Sequence, residues 1–180
     1  MTNKYRAGDS QVDKLIVLGL GLLGASICVA AKKLGLANEI IGISRRQSTI
    51  EIAHAKEIID KSSDSLATLA GNFGEDDLLV LAVPTLAMKS VLSECQEHVP
   101  PSVTITDVAS VKTKIIEFAE QVYGDIPKNF VPGHPIAGSE KSGINAANPD
   151  LFKNHKVVLT PKEMTNHCLL YTSPSPRDNR

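Results

Sequence analysis

The spacing of hydrophobic and polar positions changes repeatedly along the chain. Short runs rich in branched aliphatic residues, at 14–18, 39–43, 78–83, 103–106, 129–131 and 156–159, predict strands. Stretches with helical spacing lie between them and predict helices at 22–34, 49–55, 65–69, 85–97 and 110–123. Strand and helix in alternation is the signature of βαβ units. The fold class it implies is α/β, a Rossmann-type doubly wound, mostly parallel sheet with helices on both faces. The run 78–83 is apolar throughout, so it belongs at the centre of the sheet, and Pro84 after it suits the first turn of a helix. Residues 1–12 are polar and aperiodic and read as a flexible leader, whereas 13–165 read as one domain. After Thr160 and Pro161 the periodicity fades, and the proline-rich residues 166–180 read as a disordered or artefactual tail.

Composition narrows the function classes. With 42% hydrophobic and 22% charged residues the chain can bury a core, which excludes disorder throughout. A net charge of −1 offers no basic field for nucleic acid or an anionic membrane surface, and 4% aromatics without tryptophan give no stacking platform. Neither is an expected partner. Cys28, Cys95 and Cys168 are odd in number and form no C-x-x-C pair, so no disulfide framework and no metal site are expected, and a cytoplasmic location fits. The apolar stretch 15–31 superficially resembles a signal peptide, but Gly19, Gly21 and Gly24 interrupt it at a defined spacing.

That spacing is itself a motif. Gly19-Leu20-Gly21-Leu22-Leu23-Gly24 is G-x-G-x-x-G, placed between a predicted strand and a predicted helix as dinucleotide binding requires. Gly19 makes the tight turn, Gly21 admits a pyrophosphate, and Gly24 lets helix and strand approach; the amides of Leu22 and Leu23 open the helix toward the anion. About 20 residues further on, NAD enzymes carry an acidic residue against the ribose hydroxyls. Here the position is Ser44, followed by Arg45 and Arg46, which predicts NADP as the preferred cofactor over NAD because guanidinium groups pair with a 2′-phosphate. Residues 13–165 thereby become a candidate NAD(P)-binding domain.

Ligands of open α/β sheets sit at the carboxyl ends of the strands, and three segments there carry candidate chemistry. Val83, Pro84 and Thr85 end the apolar run and are expected to touch the cofactor. In Asp107-Val108-Ala109-Ser110-Val111-Lys112 a strand ends and a helix begins, and Ser110 alone would read as its N-cap. The third segment, residues 132–143, holds His134 between Gly133 and Pro135, in what should be rigid, irregular backbone. A histidine there can take a proton from a small-molecule substrate hydroxyl while hydride leaves the same carbon.

In this order, GLGLLGAS, SRRQST, DVASVK and GHPIAGSEKSG resemble the prephenate/arogenate dehydrogenase family of tyrosine biosynthesis, over residues 13–165. The resemblance implies oxidative decarboxylation of prephenate to 4-hydroxyphenylpyruvate, with NAD(P) as hydride acceptor. It assigns deprotonation of the 4-hydroxyl to His134, orientation of that hydroxyl to Ser110, and an acid near the site entrance to Glu140. It also implies a C-terminal helical domain, through which full-length relatives would form a homodimer. Nothing after Thr165 resembles that domain, and residues 168–178 look like translated sequencing adapter, so the domain is expected to be missing and the chain a fragment. Arogenate dehydrogenase is one alternative. Another NADP-dependent dehydrogenase is a second, though it would not be expected to carry G-H-P-x-A-G, and a non-catalytic NADP-binding module is a third.

Overall fold

Alternating burial along the first strand, β1 (Val12–Leu18), sets the architecture. Leu15 and Val17 pack on one side with Ala25, Cys28 and Ala31 of α1 (Leu22–Leu34), while Ile16 and Leu18 face the other side. A strand apolar in both registers must be covered on both faces, which only a two-sided helical coat provides. The computed structural model describes residues 12–160. Residues 1–11, most of the predicted leader, and the predicted tail 166–180 lie outside the described residues; Val12 already belongs to β1.

The chain continues through β2 (Ala37–Ile43), α2 (Gln47–Ala55), β3 (Lys61–Ser63), β4 (Leu78–Leu81), α3 (Met88–His98), β5 (Thr104–Asp107), α4 (Lys112–Tyr123), β6 (Phe130–Val131), β7 (Gly133–Pro135) and β8 (Val157–Leu159). Strands β1 to β6 form one parallel sheet in the order β3-β2-β1-β4-β5-β6. This is the doubly wound order, and its direction of winding reverses between β1 and β4. Helices α1 and α2 cover one face, and α3 and α4 cover the other. β4 is central as its sequence predicts, with Leu79, Val80 and Leu81 all buried.

The structure corrects four expectations, each for a local reason. The helix predicted from Ser110 begins only at Lys112, with Val111 as its N-cap and no side-chain cap, because the Asp107 carboxylate takes the Ala109 amide at 2.9 Å and holds the preceding loop open. The predicted 65–69 helix is a single 3₁₀ turn, Ala67–Leu69, and Thr85–Ala87 is likewise a 3₁₀ turn ahead of α3. His134 is in an ordered strand rather than irregular backbone: β7 pairs antiparallel with β8, His134 lying opposite Val158. β3 was not predicted, since Lys61 and Ser62 are exposed and three residues carry no readable alternation.

One carboxylate ties the sheet to α1. Asp60 accepts the Ile40 amide at 2.9 Å and the Lys32 ammonium at 2.8 Å, and the Lys32 hydrogen bond, with the Ile40 amide, holds its pKa below the ordinary 3.8. Folding therefore favours the ionised form, so this contribution is present above pH 3.8 and is lost as pH falls through the lowered folded value. Thermal melts of the protein and of Asp60→Asn should differ at neutral pH and converge below pH 3.8. A difference that persists undiminished in acid would remove the Lys32–Asp60 contact from the stability account. Among the described residues, no helix is long and apolar enough to cross a membrane.

Candidate functional site

The reversal point of the sheet opens a cleft of about 840 Å³ at the carboxyl ends of the strands. Its first wall is the turn between β1 and α1. Gly19 has φ of +101°, and a Cβ built on it would lie 2.4 Å from the Ala82 carbonyl oxygen. A Cβ on Gly24 would lie 2.0 Å from the Gly19 carbonyl oxygen. Both glycines are thus required by the protein's own packing. Gly21 differs, because a Cβ there would meet nothing within 4 Å, so the space it leaves is open to a ligand. α1 starts beyond Gly21 with no side-chain cap, and its amide-rich end, with Leu22 and Leu23, lines the cleft. The turn therefore fits a dinucleotide pyrophosphate.

The second wall follows β2. Ser44, Arg45 and Arg46 line the cleft, and the Ser44 hydroxyl accepts the Arg46 amide at 3.2 Å. Arg46 is the N-cap residue of α2, which also has no side-chain cap. Sequence reasoning missed Asp64 here. The register pairs Ile43 with Ser63, so the next residues, Ser44 and Asp64, leave the sheet side by side, and both line the cleft. The Asp64 carboxylate accepts the Thr68 hydroxyl at 2.6 Å and the Ser65 hydroxyl at 3.3 Å, and the Thr68 bond lowers its pKa. A carboxylate does therefore face this wall, delivered by the edge strand that the pattern hides.

The far wall gathers the remaining candidates. Val83, Pro84 and Thr85 follow β4, Ser110 follows β5, and His134 sits on β7; all five line the same cleft. The His134 Nδ1 is buried without a hydrogen-bond partner, the one such side-chain atom among the described residues. Glu140 is exposed and does not itself line the cleft, but it directly precedes Lys141 and Ser142, which do. Gly24 acts from behind the wall as a buried packing residue.

Beneath this wall lies a group whose role sequence reading also missed. Asp107 is buried, and its carboxylate accepts Ala109 N at 2.9 Å, Gly133 N at 3.2 Å and the Lys112 ammonium. The same ammonium donates to the Gly133 carbonyl at 2.6 Å. Burial pushes the Asp107 pKa up and the Lys112 pKa down, each opposed by the bond between them. The signal was present in DVASVK, where the acid closes a strand and the base opens the next helix.

A family model described as "Prephenate dehydrogenase, nucleotide-binding domain" matches residues 27–172. The match starts after the glycine turn, so that turn stands on its geometry. Prephenate dehydrogenase of Lactococcus lactis is 38% identical over 158 residues, which cover 87% of this chain and 43% of that protein. The crystal structure of A. aeolicus prephenate dehydrogenase, in complex with hydroxyphenyl propionate and NAD+, superposes with a TM-score of 0.80 at 29% identity, covering 91% of this chain and 56% of that one. Synechocystis arogenate dehydrogenase gives 0.77 at 36% identity, covering 88% and 54%. The chain thus spans about two fifths of the curated relative's length and just over half of the solved chains.

Proposed function

The chain belongs to the prephenate dehydrogenase nucleotide-binding domain family, and from that premise we propose that it forms the cofactor half of an enzyme oxidatively decarboxylating prephenate to 4-hydroxyphenylpyruvate. The observation that carries the reading is convergence: the glycine turn, the Ser44–Arg46 segment, Ser110 and His134 come from four separate parts of the chain and line one cleft. A nicotinamide dinucleotide bound there supplies the hydride acceptor. His134 accepts the proton of the substrate's 4-hydroxyl as the electron pair of the adjacent C–H bond departs. Loss of carbon dioxide then returns an electron pair to the ring, and the oxygen regains a proton as the phenol. Ser110, on the loop beside His134's strand, orients the hydroxyl. Glu140 has no support from its position for a role in this step.

Arogenate is the second reading, favoured by the 36% identity to the Synechocystis enzyme. The two substrates differ in the side chain away from the reacting carbon. The deciding assay is NADPH formation from each substrate, by this chain and by the chain joined to the C-terminal part of a full-length relative. No reaction with either substrate in the joined protein would overturn the proposal. Pairing of two copies through that part, and a cytoplasmic setting, complete it.

NADP preference is the finer part of the reading. A charge-assisted bond contributes about 1.5–3 kcal/mol, so each well-placed arginine is worth roughly 10- to 150-fold in NADP affinity. Arg45→Ala and Arg46→Ala should weaken NADP by such factors and leave NAD nearly unchanged in a fluorescence titration. Asp64→Asn should raise the NADP preference further, because Asp64 brings a like charge to the wall where a 2′-phosphate would lie. Equal affinities for the two cofactors in the unaltered protein would end the arginine argument.

A further inference from the structure

We propose that the buried Asp107–Lys112 pair is a positioning device that locks the Ser110 loop to the His134 strand and so fixes the two cleft groups in one arrangement. The inference deepens the proposed dehydrogenase reading and rests on it only for its turnover arm.

The destinations of the hydrogen bonds are the argument. The β5–β6 ladder ends at Thr106 paired with Val131, so Gly133 lies beyond its last rung. There the pair takes over from the sheet: Asp107 Oδ1 accepts the Gly133 amide, and Lys112 Nζ donates to the Gly133 carbonyl. Asp107 Oδ2 meanwhile accepts the Ala109 amide. Each of these backbone groups belongs to the residue immediately before a cleft residue, Ser110 in one case and His134 in the other. On its opposite side β7 is held by β8, with Gly133 opposite Leu159 and His134 opposite Val158.

Charge is a poor means of merely joining a sheet to a helix. Desolvating two ions offsets most of their attraction, and well-packed apolar residues often serve as well. The Asp107 side chain is 0% exposed and that of Lys112 13%, so this cost is incurred here. What an ion pair adds is direction. A carboxylate and an ammonium can hold three backbone groups at fixed angles, which aliphatic side chains cannot. The same constraint accounts for the late start of α4, because the loop over residues 108–111 follows Asp107 instead of coiling.

The test compares the unaltered chain with Lys112→Met and with the double variant Asp107→Asn/Lys112→Met. The single change leaves a lone buried carboxylate and can unfold the protein; the double change removes both charges and keeps the volume. In the unaltered chain the Ala109 and Gly133 amides should be protected from hydrogen exchange, and exchange at exposed-loop rates would overturn the proposal without any variant. In the double variant melting should stay close to the unaltered protein, while at least one of those two amides, the one facing the asparagine NH2 in place of a carboxylate oxygen, exchanges at least about tenfold faster and Ile16 does not change. The His134 ring signals in the NMR spectrum should shift, with those of His54 and His98 fixed. In the chain joined to a relative's C-terminal part, kcat should fall by about 10²-fold, the scale of an ångström-level misplacement, at unchanged KM for NADP. A double variant with unaltered His134 signals and amide exchange would reduce the pair to an anchor and refute the inference. If neither protein turns over prephenate or arogenate, the dehydrogenase reading fails, and the exchange and NMR results still decide the positioning role.

Discussion

Gly24→Ala is expected to disrupt the β1–α1 junction and with it dinucleotide binding. The added Cβ would sit 2.0 Å from the Gly19 carbonyl oxygen and 3.0 Å from the Ala82 Cβ. No side-chain rotation relieves the first contact, because the obstacle is backbone at the site's tightest turn. Overpacking costs about 1–3 kcal/mol where side chains can yield, and a backbone clash belongs at or above the top of that range. For a chain of this length that is a fall of about 6–12 °C in Tm. Gly19→Ala should behave similarly, through its φ of +101° and the Ala82 carbonyl at 2.4 Å. Gly21→Ala is the control. Its Cβ would meet nothing within 4 Å of the protein, so Tm should change little and cofactor affinity alone should fall. Melting curves and a cofactor titration on the three variants separate the roles. Gly24→Ala melting with the unaltered protein, or Gly21→Ala binding cofactor as tightly, would contradict the division of labour assigned to the turn.

The contrast among these glycines also shows what can be read from a sequence. The turn was legible because its constraints are local: strand, turn and helix are contiguous, and the α1 bounds follow from an apolar stripe beginning directly after Gly21. β4 was legible because the apolar run 78–83 between Asp77 and Pro84 has the length of a buried strand, although the strand itself ends at Leu81. Asp64 was not, because its position depends on β3, a three-residue edge strand placed by pairing with β2 rather than by any pattern of its own. The chemistry of His134 is visible in the sequence but its strand is not, since β7 exists only through β8, whose residues Val157 and Val158 are exposed. Ser110 reads from sequence alone as an N-cap, but Val111 holds that position and Ala109 donates to Asp107 ahead of it. Local chemistry was visible throughout, and contacts between distant segments were not.

His134→Asn carries the largest expected effect on turnover. In the chain joined to a relative's C-terminal part, kcat should fall by about 10²–10⁴, the usual worth of a positioned general base. This corresponds to roughly 2.7–5.5 kcal/mol of transition-state stabilisation. Asparagine retains a polar group near the place of Nδ1 but cannot carry the proton away, so substrate and NADP binding should hold while the chemical step slows. The side chain is half-buried, and β7 is fixed on both sides by Asp107–Lys112 and by β8, so the substitution should leave the fold intact. Loss of turnover with unchanged Tm and unchanged NADP affinity is the expected combination. A rate within about tenfold of the unaltered protein lies below what general-base catalysis supplies, and would move the proton acceptor away from His134 to some other group in the assembled enzyme.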